Sequence, residues 1–326
     1  MPKFYKSKRL WGMVFASAFL ALCFYDIDLG QLWGIIRGID LRILLVAVFC
    51  QLLLPVWKAL RWKFILDPVK KIKFRDMFSV YCVGWLLNVS LPMLTGQVAR
   101  TFLLSKKHQI GKTKSFASVA LEVVFDGSSL LALMTALSFF FAFPQWLIRG
   151  QHTLALLLGI GVVLLYLLIL NPKFITRIKE KFPHKITAAL EKFLQSFSDG
   201  LQILRSSRHI VIVSALSLLA WFTQVIVVTL LIVAFGFKLP VWGAVVVVVI
   251  NTLMMMFPLT PANLGTFQVA TILGLTFFGI SKTEALSLGL LLHALDIIPS
   301  FALGIFFMLF EKSLVKRAEP KPASGA

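Results

Sequence analysis

Apolar residues dominate the chain in long stretches, and the charged residues fall almost entirely between those stretches. The stretches cover residues 10–25, 43–57, 77–99, 127–148, 150–172, 210–237, 239–281 and 285–310. A helix needs about 20 mainly apolar residues to cross the roughly 30 Å hydrocarbon core of a bilayer. The pattern therefore predicts an all-α fold, that of a polytopic helical membrane protein.

The stretch at 239–281 is too long for a single crossing. It contains 43 residues without an ionised group, which as one helix would extend about 65 Å, roughly twice the hydrocarbon core. A break rich in proline, from Pro258 through Pro261 to Gly265, interrupts it near the middle. The segment is therefore predicted to turn back as a re-entrant helical hairpin.

The basic residues orient the spans. The chain carries 33 Lys and Arg against 14 Asp and Glu, a net charge of +19. Placing the amino terminus inside puts 28 of the 33 on the cytoplasmic side, provided that segments 76–105 and 241–280 both leave on the side from which they enter. This predicts six full spans plus two re-entrant hairpins, with both termini cytoplasmic. The expected turn residues are Pro92, Gly96, Pro258, Pro261 and Gly265.

Composition supports the membrane class and argues against others. Hydrophobic residues make up 59% and charged residues 14%, whereas soluble domains have about 45–50% and about 25%. The basic residues are spread between apolar stretches rather than gathered on one domain, which argues against a nucleic-acid partner. The three cysteines lie within apolar stretches without a CxxC spacing. Neither a disulfide framework nor a metal site is therefore expected.

The two predicted hairpins also resemble each other in sequence. Residues with matching chemistry recur at nearly constant spacing: Gln97 and Gln268 (171 residues apart), Lys112 and Lys282 (170), and Asp126 and Asp296 (170). Combined with the opposite orientations derived from charge, this predicts an inverted-topology repeat. Chance similarity between two apolar segments of low complexity is the alternative.

These features predict the domain organisation. Residues 1–312 form a single transmembrane domain, with a first repeat at about 42–148 and a second at about 210–310. Between them, residues 173–208 are mostly amphipathic, and we expect them to lie on the cytoplasmic membrane surface. Residues 313–326 form a polar tail that we expect to be disordered.

Ionisable residues within the spans are candidates for charge or proton coupling, because each acid costs about 2.5–3.5 kcal/mol at the centre of a membrane helix. They are Glu122, Asp126, His293 and Asp296. The first two are four residues apart and the last two are three apart, so each pair shares a helix face. A purely structural role, accepting hydrogen bonds from hairpin amides or neutral partners, is the alternative.

Polar residues at the hairpins are candidates for substrate binding. They are Thr95, Gln97, Arg100, Thr260, Asn263 and Gln268. A guanidinium suits a phosphate or carboxylate headgroup, although Arg100 also fits the role of an interfacial anchor. Trp57, Trp62 and Trp146 are expected in the aromatic belts at the membrane interfaces.

Motifs for soluble chemistry are absent from the sequence. It contains no HExxH, no GxxxxGK[ST] and no GxGxxG. We therefore expect no cofactor, no metal and no catalytic residue of a soluble-enzyme type.

The motifs resemble the lysylphosphatidylglycerol synthase transmembrane region family, whose members are flippase-like membrane proteins. The resemblance covers about residues 10–312 and rests on four segments: 59–62 (Ala-Leu-Arg-Trp), 88–100, 122–126 and 258–265. It implies movement of a polar lipid between leaflets. The substrate would be an aminoacylated phosphatidylglycerol or another anionic or polyprenyl lipid.

The chain departs from the family pattern mainly by lacking charges. Gln replaces the second residue of Gly-Glu-x-x-Arg at 96–100, and Val replaces the Arg of Glu-Arg-x-x-Asp at 122–126. A Pro-Gly-Gly-x-Gly pattern is reduced to Pro-Ala-Asn-Leu-Gly at 261–265, Gln268 stands where Glu is common, and Arg is frequent near His293. Substrate or coupling is therefore expected to differ from that of the charged members, unless activity is lost.

The resulting hypothesis is a lipid flippase or scramblase of the cytoplasmic (inner) membrane that carries no aminoacyl transferase domain. Its partners would be membrane lipids, recognised through a phospholipid or polyprenyl headgroup, and a homo-oligomer or a separately encoded lipid enzyme is compatible with the sequence. One alternative is a lipid-binding accessory or scaffold that transports nothing. Another is an intramembrane lipid-modifying enzyme that depends on Asp126 or Asp296.

Overall fold

The protein is described by a computed structural model covering residues 17–90, 95–140, 142–143, 145–170, 196–197, 199–255 and 260–318. Within these residues every regular element is helical, which confirms the predicted fold class. The helices are α1 (Ser17–Phe24), α2 (Leu29–Arg37), α3 (Leu41–Leu66), α4 (Phe74–Ser90), α5 (Thr95–His108), α6 (Lys112–Ser138), α7 (Gln145–Leu170), α8 (Ser207–Ala234), α9 (Val241–Met255), α10 (Thr266–Thr276) and α11 (Lys282–Ala318). Short 3₁₀ turns occupy Gln202–Arg205 and Pro261–Asn263.

In the described part of the chain, five helices are long and apolar enough to cross a membrane, namely α3, α6, α7, α8 and α11. The pair α1 and α2, bent by 84°, would make a sixth. A polytopic helical protein is therefore confirmed, while the exact number of spans stays a prediction. Part of the predicted first span, part of the connector 173–208, and the turn residues Pro92 and Pro258 lie outside the described residues.

Several boundaries differ from the sequence prediction. The break between the third and fourth spans lies at 139–144, not near Arg149, which belongs to the start of α7. Helix α3 continues nine residues beyond Trp57 to Leu66, because Trp62, Ile65 and Leu66 are fully buried and extend its apolar surface. Helix α11 continues to Ala318, so 313–318 are helical and only 319–326, outside the described residues, remain of the expected tail.

Side-chain caps explain where three helices begin. The Asp28 carboxylate accepts hydrogen bonds from two backbone amides at the start of α2, and Asp40 does the same for α3. At the start of α11, Ser281 and Glu284 form a reciprocal capping box. These three acids therefore fix helix ends.

Two short helical pairs form hairpins in the places that the sequence predicts. The first hairpin consists of α4 and α5, and the second of α9 and α10. Gly84 and Gly96 let the arms of the first approach closely, because a Cβ added at Gly96 would run into the Gly84 carbonyl oxygen and the Asn88 backbone. Gly274 plays a similar part in the second, because a Cβ added there would lie only 3.2 Å from the Val247 Cα atom.

The same succession of elements occurs twice. A long helix, a hairpin and a second long helix run as α3 to α6 and again as α8 to α11, and the starts of corresponding helices lie 166 to 171 residues apart. The inverted orientation of the two halves stays a prediction. Helices α3 and α8 make the most extensive contact of any pair. Their buried residues Ala47, Val227 and Leu231 join α9, α10 and α11 in the largest apolar cluster.

Helix α1 covers the turn of the second hairpin. A Cβ at Gly265 would clash with Phe19, so this glycine permits the close approach and also holds a φ of +82° that side-chain-bearing residues avoid. The Lys282 ammonium donates to the carbonyl oxygens of Leu22 and Tyr25 at the end of α1. The amino-terminal helix is thus tied to both α10 and α11.

Candidate functional site

A central cavity of about 450 Å³ lies between the two hairpins. Long helices α3, α6, α8 and α11 complete its wall, and the 3₁₀ turn at 261–263 contributes Ala262 and Asn263. Small-molecule sites typically span about 300–1,000 Å³. The cavity is therefore large enough for the polar part of a lipid but not for its acyl chains.

The structure brings many of the predicted site residues to this cavity. Those that line it are Gly96, Gln97, Arg100, Asp126, Asn263, His293 and Asp296. Other predicted residues lie behind the wall: Thr95, Glu122, Thr260, Pro261, Gly265 and Gln268 are not among the lining residues. The Thr95 hydroxyl donates to the Leu87 carbonyl and the Thr260 hydroxyl lies 3.4 Å from that of Thr266, so both bond within their own hairpins.

Four charged side chains form an ion-paired cluster beside the cavity. Arg61 of α3 binds the Asp126 carboxylate in bidentate fashion, with nitrogen–oxygen distances of 2.5 and 2.9 Å. Arg100 of α5 pairs with Glu122 of α6, whose other oxygen lies 3.6 Å from Arg61. Arg61 also donates to the Ser217 hydroxyl of α8 at 3.2 Å. The cluster thus connects α3, α5, α6 and α8.

This cluster limits the roles open to its members. Arg61 and Glu122 are each 2% exposed and Arg100 is 5% exposed, so each charge depends on its partner inside the protein. Arg100 also lies over the rings of Trp62 and Tyr81, at 4.8 and 5.6 Å from their centroids. Arg100 thus lines the cavity with its charge already balanced by Glu122.

Trp62 does not lie in an aromatic belt as predicted. It is fully buried, and its indole nitrogen donates to the Ser118 hydroxyl at 2.9 Å. The physical reason is the extension of α3 beyond Trp57, which places Trp62 between α5 and α6 instead of at a membrane surface.

A hydrogen-bond chain fixes the break in the second hairpin. The Gly265 amide donates to Gln268 Oε1 at 2.8 Å, Gln268 Nε2 donates to His293 Nδ1 at 2.9 Å, and His293 Nε2 donates to the Ala262 carbonyl at 2.8 Å. The backbone amide and carbonyl at the two ends fix the direction of every bond, so the imidazole is neutral with its proton on Nε2. Ala262 and Asn263 both have a φ of +54°, a conformation that this chain of bonds holds in place.

Replacing His293 by alanine should therefore destabilise the second hairpin. The variant leaves the Ala262 carbonyl and the Gln268 amide without their partner and removes the ring stacked on Phe267. We expect the free energy of unfolding to fall by about 1–3 kcal/mol, measured by denaturant titration in detergent. The control is Thr276→Ala, whose exposed hydroxyl bonds within its own helix. Equal stability of the His293→Ala variant and the wild type would contradict this role.

Sequence reasoning missed two polar residues of α3 at the cavity. Gln51 and Lys58 line it together with Leu54 and Pro55. These four residues recur at the spacing of one helix face, which was the available signal. The predicted stretch 43–57 ends before Lys58, which leaves this residue to a cytoplasmic loop, whereas Gln51 lies inside the stretch as an uncharged residue.

Lys58 and Asp296 differ from the other charged residues that line the cavity. Lys58 forms no hydrogen bond or ion pair in the described part of the chain, and Asp296 accepts a single hydrogen bond, from Gln51 Nε2 at 3.4 Å. Gln51 Oε1, Gln97 Oε1 and Trp221 Nε1 are also buried, with no partner in that same part of the chain. The cavity therefore offers both donors and acceptors to a polar ligand. Among the described residues, no group of three His, Cys, Asp or Glu side chains is arranged to hold a metal ion.

Comparison with known proteins places these features in a family context. Residues 9–304 match the protein family described as Lysylphosphatidylglycerol synthase TM region. The UPF0104 membrane protein MJ1595 of Methanocaldococcus jannaschii is 23% identical over 98% of this chain and the whole length of that protein. A UPF0104 membrane protein of Methanothermobacter thermautotrophicus is 22% identical, covering 85% of this chain and 88% of its own length. No solved structure matches the sequence significantly.

Proposed function

The chain belongs to the lysylphosphatidylglycerol synthase TM region family, and on that premise we propose that it is a flippase or scramblase. It moves the polar headgroup of a lipid between the leaflets of the cytoplasmic membrane. It passes the headgroup through the central cavity and modifies no covalent bond. Both termini lie on the cytoplasmic side in this scheme. Of the 28 basic residues that the positive-inside rule assigns to that side, Lys58, Arg61 and Arg100 belong to the cavity and its ion-paired cluster instead, and the other 25 still outnumber the five assigned to the outside.

The observation that carries this proposal is the polar cavity between two broken membrane segments. Irregular backbone at membrane depth persists only where protein buries it or where it lines a polar cavity. Transporters place their substrates between such segments near the middle of the bilayer. Here both hairpins line one cavity, to which they contribute Asn88, Gln97, Asn251 and Asn263.

The acyl chains would remain in the bilayer during transfer. Val123 of α6 lines the cavity and is 63% exposed, so the lateral entrance in this scheme lies beside it. A headgroup entering beside Val123 keeps its glycerol backbone and tails among the lipids. Movement in this scheme is either downhill or coupled to an ion, with the Asp126 and Asp296 carboxylates as the groups that balance charge.

Reconstitution into liposomes tests the proposal. Fluorescent phospholipids labelled on an acyl chain are incorporated, and dithionite added outside destroys the label in the outer leaflet. Purified protein should let dithionite bleach inner-leaflet label at a rate well above that of liposomes holding heat-denatured protein. If folded protein moves no lipid, with or without a proton gradient, the transport function is wrong and a lipid-binding accessory role replaces it.

A variant that fills the cavity should abolish this movement. Gln224→Trp places a large ring on the cavity wall, so we expect lipid movement to fall to near the background rate while the protein remains folded. The matched control is Phe222→Trp on the same helix, where the side chain is 60% exposed and does not line the cavity. A loss of movement in both variants, or in neither, would contradict a route through the cavity.

A further inference from the structure

The charges at the central cavity are balanced in number but not all paired in space. Arg61, Arg100, Glu122 and Asp126 form ion pairs with one another. This leaves Lys58 and Asp296, which line the same cavity without an ion pair in the described residues. Intramembrane charges without a partner are costly, and by default they indicate a functional site.

These two charges lie at different levels of the cavity wall along α3, which we call the Lys58 end and the Asp296 end. Gln51, which donates to Asp296, and Lys58 lie seven residues apart on one face of α3, or about 10 Å along its axis. The cavity therefore has an end that attracts anions, at Lys58, and an end that attracts cations, at Asp296.

At the Asp296 end, the side-chain oxygen of Gln51 lacks a hydrogen-bond donor among the described residues. Gln51 is 2% exposed, and its Oε1 atom has no hydrogen-bond partner within the described ranges, although its Nε2 atom binds Asp296. The side chain thus presents a buried acceptor close to a carboxylate whose one hydrogen bond is long. A group carrying both a positive charge and several N–H donors satisfies both acceptors, as a primary ammonium does.

Charge balance selects between headgroup classes. The six charged side chains at and beside the cavity comprise three cations and three acids. A net anionic headgroup would leave one uncompensated negative charge in a site of low dielectric. A headgroup carrying one phosphate and one ammonium places an opposite charge at each end and leaves the sum at zero.

We propose that the substrate is a zwitterionic aminophospholipid, whose phosphate binds at Lys58 and whose primary ammonium binds Asp296 and Gln51. This assignment rests on the proposed function and adds the headgroup class, with Asp296 and Gln51 as the residues that determine specificity.

Binding of short-chain lipids to the purified full-length protein tests this assignment independently of transport. Isothermal titration compares dihexanoyl phosphatidylethanolamine, phosphatidylcholine and phosphatidylglycerol, which carry a primary amine, a quaternary amine and no amine. The wild type should bind phosphatidylethanolamine about tenfold more tightly than phosphatidylglycerol. Phosphatidylcholine should also bind more weakly than phosphatidylethanolamine, because it has no N–H to donate.

Two variants separate the ends of the site. Asp296→Asn should remove the preference for phosphatidylethanolamine over phosphatidylglycerol, whereas Lys58→Met should weaken the binding of all three phospholipids. The matched controls are Asp67→Asn and Lys63→Met, which alter an i,i+4 ion pair of α3 away from the cavity. Both controls should bind like the wild type.

The outcomes distinguish this inference from the function on which it rests. Equal or tighter binding of phosphatidylglycerol by the wild type overturns the assignment, as does an unchanged preference in Asp296→Asn. Selective binding that disappears in Asp296→Asn supports the assignment. If such binding is found in protein that moves no lipid in liposomes, the headgroup class stands and the transport function fails.

Discussion

Replacing Arg61 by alanine is expected to lower the free energy of unfolding by about 3 kcal/mol. The guanidinium, 2% exposed, binds both oxygens of Asp126 and lies within ion-pair distance of Glu122. Removing one member of a buried pair costs about 3–5 kcal/mol because the partner charge stays buried. The expected loss lies at the lower end of this range because the Asp126 side chain is 38% exposed, so solvent screens the charge that is left behind.

Denaturant unfolding in detergent, followed by circular dichroism, measures this loss. The matched control is Arg149→Ala, which removes an exposed arginine at the start of α7 and should change stability by less than about 0.5 kcal/mol. A double variant, Arg61→Met with Asp126→Asn, should recover part of the loss, because no unpaired charge remains at the pair. An Arg61→Ala variant as stable as Arg149→Ala would show that the ion-paired cluster does not support the fold.

Gly96→Ala should destabilise the first hairpin although it adds only one methyl group. The new Cβ would lie 2.6 Å from the Asn88 backbone nitrogen and would run into the Gly84 carbonyl oxygen. Backbone atoms cannot move aside as a side chain can, so the arms of the hairpin must separate. Overpacking of this kind costs about 1–3 kcal/mol, and the separated arms should also reshape the cavity wall and slow lipid movement.

The same substitution elsewhere provides the control. Gly159→Ala in α7 meets no atom within 4 Å, so it should leave lipid movement unchanged and raise helix stability by up to about 1 kcal/mol. Opposite effects of the two Gly→Ala substitutions on the free energy of unfolding would attribute the loss at Gly96 to the close contact between the arms of the hairpin. If both variants behave alike in unfolding and in lipid movement, the Gly84–Gly96 contact has no special role.

The positions of the two hairpins followed from the sequence because their signals are local. The uncharged length of 239–281 exceeds one crossing, and Pro261 and Gly265 interrupt it at the point where the structure has a turn with positive φ angles. The charge asymmetry then required a second hairpin at 76–105, where α4 and α5 lie. Helix ends were less predictable, because burial by distant residues extended α3 through Trp62.

Local sequence patterns could not predict which residues of the site pair with each other. Arg61 and Asp126 are 65 residues apart and meet only because α3 and α6 pack side by side. The sequence marked Asp126 as costly in a membrane, yet its cationic partner was counted with a cytoplasmic loop. Similarly, Gln268 was predicted to contact substrate and His293 to take part in charge or proton coupling. Their hydrogen bond to each other, and the bond from His293 to the backbone, depend on how the second hairpin folds.

Reversible blocking of the cavity tests the central claim, that lipid headgroups pass between the two hairpins. Gln224→Cys is placed in a background with Cys23, Cys50 and Cys82 replaced by alanine, and the new thiol is labelled with a bulky methanethiosulfonate. Lipid movement is measured by albumin extraction of labelled short-chain phospholipid, which leaves the disulfide label intact. The control carries Phe222→Cys, on the exposed face of the same helix.

Labelling at position 224 should stop lipid movement, and release of the label by dithiothreitol should restore it in the same sample. Labelling at position 222 should have no effect. Undiminished movement with position 224 fully labelled would contradict a path through the cavity.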